Sequence, residues 1–277
     1  MLKLRVPCTY QGGKQRISRQ IARILLEAAD RNTVFYDLCC GSGAVSIELV
    51  SEGVEPERIT MLDLSSWGAF WQKVGRGTFD LAYFDKLLST VPEDKHQVKT
   101  FMTALAARQF SLAHEAELYL LLQSCSFGGK QIWYDGRRWV NAFFRDYWEP
   151  TEHSVRRSPA NPMQPGSAEL RRRLCALIDG MNGVTCFKQD IGFVLSQEIP
   201  QNAVVYVDPP YQGTTGYAYG FDLHDFCSSF RAKSKAQLFV SEGRQISEYA
   251  VQLNLGGAKG GISGNRIGKH QEWLNVF

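Results

Sequence analysis

Val204-Val205-Tyr206-Val207-Asp208-Pro209-Pro210-Tyr211 reads as a short buried strand that stops abruptly. The prolines cannot continue a central strand, because they bring no N–H to a ladder. Asp208 therefore stands at a strand's carboxyl end, the place where open α/β sheets bind ligands. By ordinary residue usage, Asp-Pro-Pro-Tyr arises by chance in about one in a thousand chains of this size.

Thr33-Val34-Phe35-Tyr36-Asp37-Leu38 is a second apolar run. It follows residues 15–29, where Ile17, Ile21, Ile24, Leu25 and Ala28 recur on one helical face. Gly41-Ser42-Gly43 then breaks the chain before a helical stretch from Ala44 to Val50, and Arg58-Ile59-Thr60-Met61-Leu62-Asp63 returns as a strand ending in an acid. Strand patterns recur at 203–207, 236–241 and 273–277. The expected architecture is α/β, a doubly wound sheet built from residues 1–74 and 167–277. Residues 75–166 differ in character, with Trp133, Tyr134, Trp139, Phe143, Phe144, Tyr147 and Trp148 interleaved with Lys130, Arg137, Arg138 and Arg145. They read as an inserted, mainly helical unit. Residues 158–166, carrying three prolines, read as a linker before an amphipathic helix from Ser167 to Met181, and residues 256–268, carrying six glycines, as a loop.

At 277 residues, 44% hydrophobic and 21% charged, the chain can bury a full core and is neither fibrous nor wholly disordered. No window approaches the roughly 18 apolar residues of a membrane span, and residues 1–14 hold no run of signal-peptide length. A cytoplasmic location with no membrane partner is expected. The seven cysteines never form a C-x-x-C pair, so they read as reduced, mostly packed thiols, and the five histidines show no metal-ligand spacing. A net charge of +3 permits a polyanionic partner without requiring one.

The residue types around the strand ends suit one chemistry. An exocyclic ring amine is a poor nucleophile, and two acceptors improve it: a carboxylate at Asp208 takes one N–H and the rigidly held carbonyl of Pro209 the other. Tyr211 offers a flat face to a base rotated out of a duplex. Asp37-Leu38-Cys39-Cys40-Gly41-Ser42-Gly43 is a glycine turn lacking the third glycine of a dinucleotide fingerprint, which suits a nucleoside without pyrophosphate; taken alone it also reads as a plain tight turn. Asp63, about twenty residues after Gly43, stands where an acid grips a ribose diol, and equally where an N-cap or a surface acid would stand. Tyr10-Gln11-Gly12-Gly13-Lys14 precedes the first helix, so its amides and lysine could meet a carboxylate there, or form a simple turn.

Together these segments resemble the Dam-type, α-group family of adenine-N6 DNA methyltransferases, over most of the chain. Tyr10 to Lys14 is similar to the family's aromatic before Gly-Gly-Lys, Asp37 to Gly43 to its cofactor loop, and Asp63 to its ribose-binding acid. Cys186-Phe187-Lys188-Gln189-Asp190-Ile191 resembles the segment whose acid contacts the cofactor's adenine amine. Asp208 to Tyr211 matches the catalytic motif, and Thr214-Thr215-Gly216-Tyr217 with Phe221 resembles the loop after it. One position departs: the family usually has Phe where Cys39 stands. A lost aromatic contact there weakens binding by ~1 to 3 kcal/mol unless another ring fills the space.

The resemblance implies a mixed seven-stranded sheet of the S-adenosylmethionine-dependent methyltransferase type with a target-recognition domain at 75–166. It also implies transfer of a methyl group from S-adenosyl-L-methionine to the N6 amine of a flipped-out adenine, without metal. The implied partner is double-stranded DNA, bound by a monomer or weak dimer in a bacterial cell or virus-infected host, with room for a restriction enzyme in the same system. Arg137 and Arg138, then Lys130 and Arg145, are the expected DNA contacts, since guanidinium forks grip phosphates and guanine edges, although most of the interleaved rings fit the insertion's own core. Cytosine-N4 or RNA amine methylation, and a DNA-binding relative without catalysis, remain open alternatives.

Overall fold

The computed structural model describes residues 3–210, 222–254 and 271–277. Tyr211, the loop resemblance at Thr214 to Phe221 and the glycine-rich stretch 256–268 lie outside the described residues. In chain order the elements are α1 (Ser18–Glu27), β1 (Phe35–Leu38), α2 (Ala44–Ser51), β2 (Ile59–Leu62), α3 (Ser66–Gly75), α4 (Leu81–Ser89), α5 (Val98–Ala106) and α6 (Glu115–Ser124). After them come the two-residue strands β3 (Trp133–Tyr134) and β4 (Trp139–Val140), then α7 (Ser167–Gly180), β5 (Thr185–Phe187), β6 (Val204–Val207), α8 (Leu223–Lys233), β7 (Gln237–Glu242), β8 (Tyr249–Gln252) and β9 (Trp273–Val276).

Among the described residues, seven strands form one mixed sheet in the order β5-β2-β1-β6-β7-β9-β8, compatible with a Rossmann-like fold. The first five run parallel, and β9 enters antiparallel between β7 and β8. Side chains alternate across each strand, so the two faces bury different sets. Phe35, Ile59, Met61, Val204 and Tyr206 enter one core with α1 and α3, while Leu38, Leu62, Val205, Val207 and Val240 enter a second with α8. Coverage of both faces explains why these strands are mostly apolar on both sides rather than alternating. No helix among the described residues is long and apolar enough to cross a membrane.

Two strands of this sheet were not picked out in the sequence. β5 is three residues long, and β8 is a largely exposed edge strand, so neither carries an apolar run.

Residues 75–166 supply α4, α5 and α6, then irregular chain around the β3–β4 hairpin. Their apolar side chains, among them Phe79, Phe84, Leu87, Met102 and Trp139, belong to the same cluster as the sheet's first face. Every residue of α6 is buried. Its polar groups are each paired: Glu115 accepts from Lys188 (2.6 Å) and Ser66 (2.7 Å), and Glu117 from Lys73 (2.7 Å) and the Asp80 N–H (2.8 Å). Gln123 accepts from the Ile132 N–H at 2.9 Å. Ionised groups lose hydration when buried, and this pairing offsets it. The proline-rich stretch is likewise tied down, with the Gln164 N–H on Ser124 O (2.8 Å) and the Thr9 N–H on Gln164 O (3.1 Å), which accounts for a buried Met163.

Helix α3 lies against β5 closely enough to require glycine. A Cβ on Gly68 would fall 2.1 Å from Asp63 O and 3.0 Å from Lys188 Cα, both backbone atoms that cannot swing aside. Gly68→Ala is therefore expected to cost about 1–3 kcal/mol or more by overpacking. Gly166→Ala, at φ −67° with nothing within 4 Å, should be neutral or slightly stabilising. Paired thermal melts followed by circular dichroism check both.

Candidate active site

Parallel register brings the strand ends into one layer, with Leu38 opposite Leu62 and Val207, Leu62 opposite Phe187, and Val207 opposite Val240. Asp63, Asp208 and Glu242 therefore emerge along a single edge, with Asp37 one residue inside it. The crossing is stitched by backbone bonds from Cys40 N to Leu62 O (3.1 Å), Asp63 N to Phe187 O (3.2 Å) and Asp208 N to Leu38 O (3.1 Å).

Asp208 stands beside the glycine turn with its side chain 17% exposed. Lys14 Nζ lies 2.6 Å from its Oδ1 and 3.5 Å from Glu272 Oε1. This is a different place from the one expected for Lys14, which was read as meeting a ligand carboxylate at the first helix. The physical reason is local charge: Asp208, Glu242 and Glu272 repel one another at the sheet edge, and the ammonium is their counter-ion. Burial pushes the Asp208 carboxyl up to about 6, with Lys14 pulling it down and Glu272 and Glu242 adding to the rise. Burial also raises Glu242.

Residues 10–14 lie directly on the glycine turn. A Cβ on Gly13 would meet Ser42 Oγ and Tyr10 O, each at 3.2 Å, and one on Gly41 would fall 2.9 Å from the Tyr10 ring. Gly43, at φ +70°, leaves room for Trp71, whose ring would lie 2.4 Å from a Cβ and whose Nε1 donates to Gly41 O at 2.9 Å. The space a Cβ would need at these two glycines is thus taken by the protein's own Tyr10 and Trp71. Gly12 is exposed and has φ +83°.

Asp37 and Asp63 are buried and brace this turn. Asp37 accepts from Ser46 Oγ (2.6 Å) and Ser46 N (3.3 Å), fixing the first turn of α2, and burial pushes its carboxyl up to about 7. Asp63 Oδ2 accepts from the Gly41 N–H at 2.8 Å and Oδ1 from the Ser65 N–H at 2.9 Å; burial raises its pKa. Asp190 is exposed, accepts from the Gly192 N–H at 2.8 Å, and opens a 3-10 turn whose first residue, Ile191, is buried against Leu38 and Leu62.

Cys39 sits amid this cluster at φ +60°, a conformation that a non-glycine residue holds only when its surroundings impose it. Burial lifts its thiol well above the ordinary value, followed by the negative charge of Asp63, Asp208, Asp37 and Asp190. Four of the expected site acids thus converge electrostatically on one point. Pro209 is buried and Pro210 half-buried. All seven cysteines are free, five of them buried.

Lys130, Arg137 and Arg138 are exposed, and Arg145 is half-buried. Arg137 and Arg138 occupy the β3–β4 turn, where both backbone N–H groups donate to Asp135 Oδ1 (2.8 and 2.9 Å). Of the interleaved rings, Trp139 and Phe144 are buried while Phe143 and Trp148 are exposed.

Sequence reasoning missed Glu242 and Glu272. Glu242 ends an apolar strand just as Asp63 and Asp208 follow theirs, so the same rule could have found it. Glu272 carries no local signal, because only the antiparallel placement of β9 brings it to the edge.

No family model and no curated protein matches this chain.

Lys14→Met should remove the counter-ion and raise the Asp208 carboxyl by roughly one to three units. Carboxyl-carbon NMR titration of wild type and variant checks this; an unchanged Asp208 midpoint contradicts the assignment of Lys14.

Proposed function

We propose that this protein transfers a methyl group from S-adenosylmethionine to the exocyclic N6 amine of adenine in DNA. The observation that carries the reading is the placement of Asp208: at the end of β6, partly open, beside the Gly41–Gly43 turn and ion-paired with Lys14. The seven-stranded mixed sheet, with β9 reversed between β7 and β8, is Rossmann-like and compatible with this reading.

The residues present fit the cofactor by charge. Asp63, Asp208, Asp37 and Asp190 each add negative charge felt at Cys39, which suits a ligand carrying a sulfonium and an ammonium group. Asp63, the Gly41–Gly43 turn, Asp190 and Ile191 would hold it, and the bound cofactor supplies an electrophilic methyl group. Asp208 accepts an N–H from the target amine and stabilises the positive charge that grows on nitrogen. Only the ionised carboxylate does this, so Lys14 acts as a positioning residue by holding Asp208 in that form near neutral pH. Pro209 lends its carbonyl as the second acceptor, and its ring restricts the backbone there.

Asp208→Ala should lower methyl transfer to DNA by about 10²–10³-fold while leaving the fold intact. Purified protein, labelled cofactor and unmethylated DNA, with mass spectrometry of the nucleosides, check this; N4-methylcytosine in place of N6-methyladenine would replace the base assignment, and no product on any DNA would remove the reading. Cofactor affinity should weaken as pH falls from about 7 through about 6, because Asp37 and then Asp208 become neutral and stop attracting the cation. Calorimetric titration across pH 8 to 5.5 measures it, and equal affinity throughout contradicts the electrostatic fit.

A further inference from the structure

One edge of the sheet is open. Strand β8 stands last in the order, pairs antiparallel with β9 on one side, and has no strand on its other side among the described residues. The hydrogen bonds fix which way its backbone groups point. The Leu253 N–H donates to Glu272 O at 2.8 Å, so residues 251 and 253 address β9, and the alternation of an antiparallel ladder turns Ala250 and Gln252 outward. Asn254 keeps the same phase: its outward N–H donates to Gln20 Oε1 (3.1 Å), and its O accepts from Gln20 Nε2 (2.8 Å), both from α1. The outward N–H and C=O groups of Ala250 and Gln252 have no such cover among the described residues.

The side chains on this strand are bare as well. Tyr249 is 71% and Val251 44% exposed, whereas Leu253, next along the same face, is 5% exposed in the core that holds Ile21 and Leu25 of α1. Helix α1 thus covers one end of β8 and leaves the other open. Tyr249-Ala250-Val251-Gln252 carries no charge and no proline, the residues that ordinarily keep an edge from pairing. The opposite edge strand, β5, is three residues long and runs straight into Lys188.

The open strand is complementary to itself. A two-fold axis at Val251 sets Ala250 opposite Gln252 of a second copy, so that each outward N–H meets an outward C=O, and sets Val251 against its own counterpart at the closer, non-hydrogen-bonded spacing. On the same face Tyr249 falls opposite Leu253, an aromatic ring against an aliphatic side chain. Glu248 falls opposite Asn254, which Gln20 ties to α1. Arg23, one turn along α1 from Gln20, is exposed and has no ion-pair partner among the described residues, so a carboxylate of one copy approaches a cation of the other. Moving the axis to Gln252 would set Ala250 against Asn254, whose backbone groups Gln20 already holds.

We propose that two copies of this chain join edge to edge through β8, continuing the sheet across a two-fold axis at Val251. The interface stands apart from the proposed methyl transfer and does not rest on it.

Sedimentation velocity of the full chain at rising concentration tests this. Wild type should pass from 31.2 kDa towards twice that mass in the micromolar range, since a pairing this small binds weakly. Val251→Lys sets two ammonium groups on the axis, and Gln252→Pro removes an outward N–H that β9 does not use. Each should need about tenfold more protein to associate, with a thermal melt close to that of wild type. Val251→Cys should give a disulfide-linked dimer under mild oxidation that wild type does not give, because the axis brings the two Cα atoms to about 4.5 Å. Tyr249→Cys, set far from its own counterpart, should not. A wild type that stays monomeric up to about 0.5 mM overturns the proposal, as does association of both β8 variants equal to that of wild type, or cross-linking through residue 249 in place of 251. Slow hydrogen exchange of the Ala250 and Gln252 amides in the monomer would assign the edge to residues 255–270 of the same chain and overturn it too.

Discussion

Carboxylates crowded at one edge of a parallel sheet set the terms for everything around them. β1, β2, β6 and β7 end in register, and three of the four are followed or closed by an acid, so the chain's own topology gathers negative charge into a partly buried layer. Such charge is stable only where it is answered. Lys14 answers Asp208 and Glu272, backbone and hydroxyl donors answer Asp37 and Asp63, and the remaining field around Cys39 stays negative. That field favours cationic ligands, and burial pushes the Asp37 and Asp208 carboxyls up to about 7 and about 6 because it opposes their ionisation.

The same crowding explains the aromatic packing beneath the turn. Tyr10 and Trp71 press on Gly41 and Gly43, and Trp67 meets Tyr10, Phe70 and Tyr119 edge to face. This rigid floor holds residues 10–14 over the turn, and so holds Lys14 against Asp208. Through Gly129 O, which accepts the Gln11 N–H at 2.7 Å, it also ties in the chain after α6. Residues 75–166 therefore bear on the site through a shared core, with α6 packed on α3 and its buried acids paired to Lys73 and Lys188.

Much of the sheet could be read directly. Val204–Val207 is apolar at every position, and Phe35–Leu38 and Ile59–Leu62 are apolar but for Asp37 and Thr60, because both faces are covered, and a run of that kind is visible without any partner in view. Tyr249–Gln252 escaped because an exposed edge strand has no such run, and Thr185–Phe187 because it is too short to show a period. Among site residues, Asp208 and Asp63 were legible as acids closing apolar strands. The pairing of Lys14 with Asp208 was not legible, since nothing in Gly-Gly-Lys says which anion lies above it.

The sequence by itself determined which strands exist, where each one stops and which acids follow, because burial pattern and backbone chemistry are local properties of the chain. Only the tertiary structure decided that Lys14 is the counter-ion of Asp208, that Glu272 joins it from the far end of the chain, and that two tyrosine and tryptophan rings claim the space at the glycines. Those facts depend on strand order and on contacts between residues from about thirty to more than two hundred positions apart, which no local pattern encodes.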